Sequence, residues 1–208
     1  MTDDPDEAQE SGEPNGLWHR RSDPNMSRAV LTERFTLRPM EVIEVARFDR
    51  RVANDLEVRY MVTGSTKKRR KPFTYLQRPN GRSRFVHAIL PRESDTPIGV
   101  HTIALRPWRC AYLGVILTDR AWWGKDVVIE VRRAVMRHFE EHAGVEQFLG
   151  QVRARNFASV SNYMRLGFER TAVRYQTGWD AARNEPIDMF EFSLRKPAFA
   201  KVLHGEAT

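Results

Sequence analysis

The stretch TDRAWWGKDVV, residues 118–128, places a glycine and a lysine directly before a long helix-like pattern. Backbone N–H groups at the start of a helix have no partner within the helix, and the helix dipole adds positive potential there. Such a loop can hold an anion, for example a phosphate group of a ligand. The alternative is a simple turn in which Asp126 stabilises the first turn of the helix. Taken alone, the stretch favours this alternative.

A second stretch, NFASVSNYMRLGF, which begins at Asn156, has the pattern of a short helix. Asn156 is suited to cap the helix at its N-terminus, and Gly167 to take the left-handed turn that ends it. Phe168 is then predicted to be a core residue. These roles leave Ser159 and Tyr163, three and seven residues after the asparagine, without an explanation.

Other common chemistries are excluded by missing motifs. The only Gly-Lys pair lacks the preceding glycine and the following Ser or Thr of a phosphate-binding GxxxxGK[ST] loop, and GxSxG, HExxH and GxGxxG are absent. The single cysteine, Cys110, cannot form an internal disulfide, and no Cys/His cluster has the spacing of metal ligands. We therefore expect neither a metal site nor a disulfide.

Length and charge set the remaining limits. The 208 residues, 41% of them hydrophobic, suffice for one sizeable domain. The net charge is +7, although residues 1–14 carry six acidic residues and no Lys or Arg, so the remainder carries +13. This balance suits an anionic ligand, an acidic substrate or nucleic acid. No apolar run is long enough to span a membrane, and the acidic N-terminus is unlike a secretory signal, so a cytoplasmic protein without a membrane partner is expected.

The elements that must position these residues follow from periodicity. Residues 1–27 are predicted to be a disordered tail, residues 28–197 a single domain and residues 198–208 a short second tail. A first strand in VLTERFTLRP precedes two short helices between Glu41 and Tyr60. A basic loop and three strands follow, in RFVHAIL, PIGVHTIAL and CAYLGVIL.

Beyond the glycine-lysine loop, apolar residues recur every four positions from Val127, which predicts a long helix ended by Gly144. A strand in EQFLGQVRA, the Asn156 helix and two closing strands in FERTAVRYQTGWD and IDMFEFSLRK complete the order. The order predicts a mixed α/β fold with a mostly antiparallel sheet of about seven strands, one parallel crossover and about four helices.

Together, AYLGVILTDRAWWGK, the long helix, the next strand and N-x-x-S-x-x-x-Y-x-R-x-G-F resemble the GCN5-related N-acetyltransferase (GNAT) superfamily, most closely its RimJ/RimL-like branch. The likeness covers about residues 29–196 and begins with LTERFTLRP, which is similar to that branch's first strand. It implies a single GNAT domain that uses acetyl-CoA and acetylates a primary amine, such as a protein N-terminus or a small amine, by direct attack on the thioester.

The resemblance also implies which residues meet acetyl-CoA. Backbone groups of the family's fourth strand, here Val115, Ile116 and Leu117, would hold the pantetheine arm and the thioester. Backbone amides of the next loop would bind the pyrophosphate: Trp122, Trp123, Gly124, Lys125, Asp126, Val127 and Val128. Asn156 and Ser159 would face the cofactor, and Tyr163 would protonate the departing sulfur, unless it serves only in packing. A phenol, with a reference pKa of about 10, can protonate a thiolate whose parent thiol has a pKa of about 8.5.

Two departures from the family pattern stand out. The family's loop reads Gln/Arg-x-x-Gly-x-Gly/Ala, and with Gly124 as its first glycine, Asp126 replaces the second. A carboxylate about 4 Å from a pyrophosphate would cost roughly 1 to 4 kcal/mol unless it turns away. On the fourth strand, Tyr112 stands where relatives often carry Glu. His101 on the preceding strand is a candidate catalytic base, with a core histidine and deprotonation through water as the alternatives.

The acceptor is not identified by the sequence. In this fold it would be shaped by GSTKKRRKPF and TGWDAARNEP. The basic run in the first segment could attract an acidic protein, a nucleotide or tRNA, although a solvated loop is the commoner meaning of such a run: Lys67, Lys68, Arg69, Arg70 and Lys71. Three hypotheses remain: an acetyl-CoA-dependent N-acetyltransferase, a GNAT-fold binding or assembly protein that has lost turnover, and an enzyme acting on charged tRNA. A monomer and a homodimer are both compatible with the sequence.

Overall fold

The computed structural model describes residues 23–63, 76, 78–180, 183–196 and 198. Four helices are present in this part of the chain: α1 (Val42–Asn54), α2 (Leu56–Thr63), α3 (Val127–Ala143) and α4 (Phe157–Arg165). The same ranges hold eight strands: β1 (Val30–Leu31), β2 (Phe35–Pro39), β3 (Arg84–Pro91), β4 (Gly99–Arg106), β5 (Cys110–Leu117), β6 (Gln147–Arg153), β7 (Glu169–Asp180) and β8 (Glu185–Arg195).

All strands join one sheet in the order β1-β2-β3-β4-β5-β6-β8-β7. Every neighbouring pair is antiparallel except β5 and β6. The mixed α/β fold with one parallel pair is thus confirmed. The strand count is eight instead of about seven because the first predicted strand turns back on itself: Val30 and Leu31 pair with Leu37 and Thr36 of β2.

The parallel pair is short, and this creates the site. Residues Cys110–Tyr112 of β5 pair with Gln147–Leu149 of β6, and no further pairs join the two strands. On its other side β5 pairs with β4 over its full length, from Cys110 to Leu117. Beyond Tyr112 the two central strands therefore diverge, and a gap opens between their carboxyl ends.

Each face of the sheet has its own apolar core, because side chains alternate between the faces of a strand. Buried residues of α3 and α4, such as Val131 and Tyr163, share one cluster with Phe148 of β6. Buried residues of α1 and α2, such as Phe48 and Val58, form the second cluster on the opposite face. The sheet is thus held between two helical layers.

The described residues include a segment that precedes the predicted domain boundary at residue 28. Residues Pro24–Ser27 form a 3-10 turn after Asp23, and the Met26 side chain is buried in the α3 cluster. The Asp23 carboxylate lies 3.2 Å from Nδ1 of His142 on α3. The predicted tail therefore includes a segment, residues 23–27, that packs on the domain.

Among the described residues, no helix combines the length and the apolar character needed to cross a membrane. Within the same ranges, no three His, Cys, Asp or Glu side chains converge as a metal site would require. The basic run of Lys67, Lys68, Arg69, Arg70 and Lys71 lies outside the described residues, so its predicted role in binding stays a prediction.

Candidate active site

A cavity of about 420 Å³ occupies the gap between β5 and β6. The C-terminal half of β5, from Leu113 to Leu117, forms one wall, and residues 151–153 of β6 form another. One side of α4 and its capping residue completes the cavity with Asn156, Ser159, Asn162 and Tyr163, whose spacing of three, three and one residues places them on the same face.

The cavity brings together most of the residues that the sequence singles out. Those in its lining are Val115, Ile116, Leu117, Trp123, Gly124, Val128, Asn156, Ser159 and Tyr163. The remaining predicted residues, which do not belong to the described lining, are His101, Trp122, Lys125, Asp126 and Val127. Val127 is buried in the α3 cluster, and Trp122 packs against that cluster with its ring edge-on to Phe35. Lys125 and Asp126 are exposed beside the cavity.

Tyr163 lies at the point where the two strands part. Its side chain is only 2% exposed, and its ring stacks on Phe192 at a centroid distance of 4.8 Å. Its hydroxyl lies 3.3 Å from the carbonyl oxygen of Leu113, to which it can donate a hydrogen bond. Gly150 of β6 makes room for this ring, because a Cβ atom there would overlap the Tyr163 hydroxyl and ring carbons. The hydroxyl is thus fixed against the cavity wall.

Arg132 of α3 is the main site residue that the sequence analysis missed. It is 2% exposed, lies in the cavity lining, and donates a hydrogen bond from Nη2 to the Tyr163 hydroxyl at 3.1 Å. Its guanidinium carbon lies 4.1 Å from the Tyr163 ring centroid, within range of a cation–π contact. Its Nε and Nη1 are buried and have no hydrogen-bond partner among the described residues.

A signal for Arg132 was present in the helical pattern. Buried Val135, Met136 and Phe139 follow it by three, four and seven residues, so Arg132 lies on the apolar stripe of α3. A charged residue is rarely fully buried unless it is paired. An arginine on such a stripe therefore indicates a functional position.

The predicted anion loop has the expected position before α3, but its acidic residue behaves differently from the prediction. Helix α3 begins at Val127, and Asp126, the residue before it, makes no side-chain hydrogen bond to the helix start. Asp126 therefore does not cap α3 through a hydrogen bond, and stabilisation of the first helical turn by its charge stays a prediction. Instead its carboxylate accepts a hydrogen bond from Arg165 of α4 at 2.6 Å.

The backbone conformation at Asp126 explains why the family pattern has a glycine at this position. Gly124 and Asp126 both have positive φ, 73° and 58°, in the region that glycine occupies without strain and that Asp tolerates better than most residues. The hydrogen bond from Arg165 holds the pKa of the Asp126 carboxyl below its ordinary value. The negative charge that disturbs the family pattern is thus paired with a cation.

Asn156 has its predicted structural role. Its side-chain oxygen accepts a hydrogen bond from the backbone N–H of Ser159 at 3.1 Å, which caps α4. Gly167 has the expected left-handed backbone with φ 78°, and Phe168 is 4% exposed. These three predictions are confirmed. Both Asn156 and Ser159 also line the cavity, so the cap places polar atoms at its edge.

His101 is enclosed in the sheet. It is 0% exposed on β4, and neither ring nitrogen has a hydrogen-bond partner among the described residues. Burial, with smaller contributions from Arg132 and His87, lowers the pKa of His101 well below its ordinary value. A neutral ring outside the described lining suits the core alternative better than the role of a base.

Only three ionisable side chains line the described cavity, namely Arg132, Arg153 and Tyr163, and no carboxylate or imidazole is among them. Tyr112, which stands where the family often has Glu, is 40% exposed and lies outside this lining. The arrangement thus offers a phenol, two guanidinium groups and backbone amides.

Comparison with known proteins agrees with this geometry. The family model described as "Acetyltransferase (GNAT) domain" matches residues 34–169. A search of curated proteins finds no match.

Solved structures with a similar fold include RimL, a ribosomal L7/L12 alpha-N-protein acetyltransferase in complex with coenzyme A. It is 16% identical, with a TM-score of 0.63 over 82% of this chain and 99% of that one. RimJ from Mycobacterium smegmatis in complex with CoA-disulfide is 15% identical, with a TM-score of 0.65 over 87% and 95%. Spermidine N-acetyltransferase from Vibrio cholerae with CoA and spermine is 12% identical, with a TM-score of 0.65 over 81% and 99%.

Proposed function

The chain belongs to the acetyltransferase (GNAT) domain family, and on this premise we propose that it is an acetyl-CoA-dependent N-acetyltransferase whose acceptor is a primary amine. The observation that carries the proposal is the cavity between β5 and β6, where the start of α3, the capped end of α4 and the Tyr163 hydroxyl converge. The CoA complexes of RimL, RimJ and spermidine N-acetyltransferase support the same use of this fold.

The cavity fits the chemical groups of acetyl-CoA. Beyond Tyr112 the edge of β5 that faces β6 has no strand partner, so its backbone N–H and C=O groups need other hydrogen bonds. A pantetheine arm carries amides that can supply them. The loop from Trp122 to Val128 ends at the N-terminus of α3, where unpaired backbone amides favour phosphate groups. The pairing of Asp126 with Arg165 reduces the repulsion that this loop would otherwise exert on a pyrophosphate.

The reaction requires a proton at the sulfur. A neutral amine nitrogen attacks the thioester carbonyl, the C–N bond forms and the C–S bond breaks, the thiolate takes a proton from an acid, and the nitrogen releases its surplus proton to solvent, from which the acid is reprotonated. In our proposal Tyr163 supplies that proton, because its hydroxyl is buried and fixed at the cavity wall. Arg132 donates a hydrogen bond to the same oxygen and stabilises the negative charge that develops there as the proton leaves.

The competing hypothesis of a binding or assembly protein without turnover rested on Asp126 and on the missing glutamate of β5. The ion pair with Arg165 weakens the first of these reasons. The hypothesis of an enzyme acting on charged tRNA rested on the basic run at residues 67–71, which lies outside the described part of the chain. We therefore favour the N-acetyltransferase.

The test combines binding and turnover. Calorimetry should detect binding of acetyl-CoA, and ligand binding should raise the melting temperature by mass action. Tyr163→Phe keeps the stacked ring and removes only the proton donor, so kcat should fall by roughly a hundredfold while CoA affinity stays unchanged. Absence of heat and of any thermal shift at millimolar acetyl-CoA would refute the proposal, and full turnover in Tyr163→Phe would return this residue to a packing role.

A further inference from the structure

Arg153 at the end of β6 gives the cavity a positive wall on the side of α2. Its neighbour Val152 belongs to the α3 and α4 core, so alternation along the strand turns Arg153 to the opposite face. There its Nη1 donates a hydrogen bond to the carbonyl oxygen of Met61 on α2 at 3.0 Å. Its Nε is buried and has no hydrogen-bond partner among the described residues. Arg153 thus presents an incompletely satisfied cation to the cavity.

The acidic residues in this region already have cationic partners. Asp180, at the end of β7, is 2% exposed and lies 3.1 Å from Arg183 and 3.5 Å from Arg155. Glu185 of β8 also pairs with Arg155. These two arginines line a second pocket, of about 490 Å³, together with Tyr60 and Phe157. Burial lowers the pKa of Arg153, and the nearby Asp180 carboxylate partly offsets this effect. Arg153, Arg155 and Arg183 thus share two carboxylates, and one positive charge remains in excess.

The sequence supplies no further acid nearby along the chain. From Val58 to Arg92, a stretch that includes all of α2 after its first two residues, there is no Asp or Glu, whereas Lys and Arg are frequent. The described cavity lining likewise contains no carboxylate. A half-buried guanidinium with an unsatisfied nitrogen is costly, and an anionic group of a bound molecule reduces that cost.

The phosphates of a CoA molecule do not account for Arg153. The anion-binding loop leads into α3 on one face of the sheet, although its Trp123 also packs against the α1 and α2 cluster, whereas Arg153 is tied to α2 by its hydrogen bond to Met61. Arg153 therefore lies on the α2 side of the cavity, away from the face on which α3 packs.

We propose that the acceptor is a primary amine that carries a carboxylate within one or two residues of the amine, and that Arg153 binds this carboxylate. The inference rests on the N-acetyltransferase function proposed above. An amino acid and a peptide with an acidic residue near its N-terminus both carry an amine and a carboxylate at this spacing. A polyamine would instead place positive charge against Arg153 and Arg132. The two guanidinium groups also favour the neutral form of an incoming amine, which is the nucleophilic form. No carboxylate base in the cavity is then needed to deprotonate it.

The test compares acceptors matched except for charge. With acetyl-CoA as the donor, kcat/KM is measured for five acceptors: the peptides Ser-Asp-Glu-Phe-amide and Ser-Lys-Arg-Phe-amide, free serine, free aspartate and spermidine. We expect kcat/KM for the acidic peptide to exceed kcat/KM for the basic peptide by about tenfold or more. Comparison of the free amino acids with the acidic peptide then distinguishes a small acceptor from a peptide N-terminus.

Arg153→Gln should reduce this preference to less than about threefold, and Arg153→Lys should retain most of it. Arg106→Gln is the matched control, because it removes one positive charge from an exposed position at the opposite end of β4 from the cavity, and should leave the preference unchanged. Melting curves and calorimetry with CoA establish that each variant is folded and binds the cofactor.

The outcomes separate the two proposals. If transfer to spermidine or to the basic peptide equals or exceeds transfer to the acidic acceptors, the acceptor class is wrong while the N-acetyltransferase function stands. The same holds if the acidic preference survives in Arg153→Gln. If CoA does not bind and no amine in the panel is acetylated, the proposed function itself fails.

Discussion

At the scale of single residues, the buried guanidinium of Arg132 beside the Tyr163 hydroxyl is the feature with the clearest consequence. A fully buried cation with two unpaired nitrogens among the described residues is unfavourable for folding. The presence of Arg132 in the core is explained if its guanidinium stabilises negative charge on the Tyr163 oxygen during proton transfer. Stability and activity should therefore respond in opposite directions to its removal.

Arg132→Met tests this expectation. Methionine has a similar volume and no charge, so the free energy of unfolding should be unchanged or should rise by about 1 kcal/mol or more, whereas kcat should fall by roughly ten- to a hundredfold at unchanged KM for acetyl-CoA. Denaturant unfolding and steady-state kinetics measure the two effects. A variant that loses stability and keeps kcat would assign Arg132 a structural role only, and Arg132→Lys should recover part of the lost turnover.

The residues of the site could be predicted from the sequence only in part, and the reason is visible in individual contacts. Asn156 caps α4, and Ser159 and Tyr163 lie within this short helix, so their spacing alone places them on one face. The partner of Asp126 is Arg165, 39 residues away on another helix. Such a tertiary contact leaves no local pattern, which is why the carboxylate was expected to disturb phosphate binding.

At the scale of elements, the helices were predictable and the gap in the sheet was not. Gly144 and Gly167 end α3 and α4 with positive φ, as their positions in the sequence indicate. The divergence of β5 from β6 depends on where their pairing stops, at Tyr112 and Leu149. Nothing in the periodicity of either strand specifies that point. The close approach of α4 to β6 at Gly150 helps to maintain it.

Gly150→Ala should disturb this approach. The added methyl group would overlap the Tyr163 hydroxyl and ring, so the ring must move away from Phe192 or the strand must shift. Overpacking of this kind typically costs about 1 to 3 kcal/mol, and the displaced hydroxyl should lower kcat at least roughly tenfold.

Gly81→Ala is the matched control, because Gly81 has φ 66° and a methyl group added there would meet no atom within 4 Å among the described residues. It should show the cost of left-handed backbone strain without any effect on turnover. Equal kcat values in Gly150→Ala and the wild type would contradict the proposed position of the Tyr163 hydroxyl in the reaction.

At the scale of the whole molecule, two buried histidines in the core of the sheet make the stability of the fold depend on pH. His87 on β3 and His101 on β4 are paired neighbours, both are 0% exposed, and their ring nitrogens have no hydrogen-bond partner among the described residues. Burial, with a smaller contribution from His138, lowers the pKa of His87 from 6.5 to about 4. His101 is shifted in the same direction.

These shifts predict that acid destabilises the fold at an unusually high pH. Between pH 6.5 and about 4 the unfolded chain binds a proton at His87 that the folded chain does not, so the free energy of unfolding falls as the pH falls through this window. The loss from His87 alone is about 3 kcal/mol between pH 7 and pH 4. Carboxyl groups with lowered pKa values, such as Glu44 and Asp126, lose their contribution only at lower pH, below their ordinary values of 4.5 and 3.8.

His87→Leu should remove the part of this dependence that His87 contributes, leaving the part due to His101, and should raise stability at neutral pH, since it replaces an unsatisfied buried ring with an apolar side chain. Urea unfolding at intervals from pH 7 to pH 4 measures the slope of the free energy of unfolding against pH. The control is His142→Gln, which removes a partly exposed histidine paired with Asp23. If the slopes of His87→Leu and the wild type coincide over this range, His87 is already protonated in the folded protein or gains a partner there, and acid sensitivity must arise elsewhere in the chain.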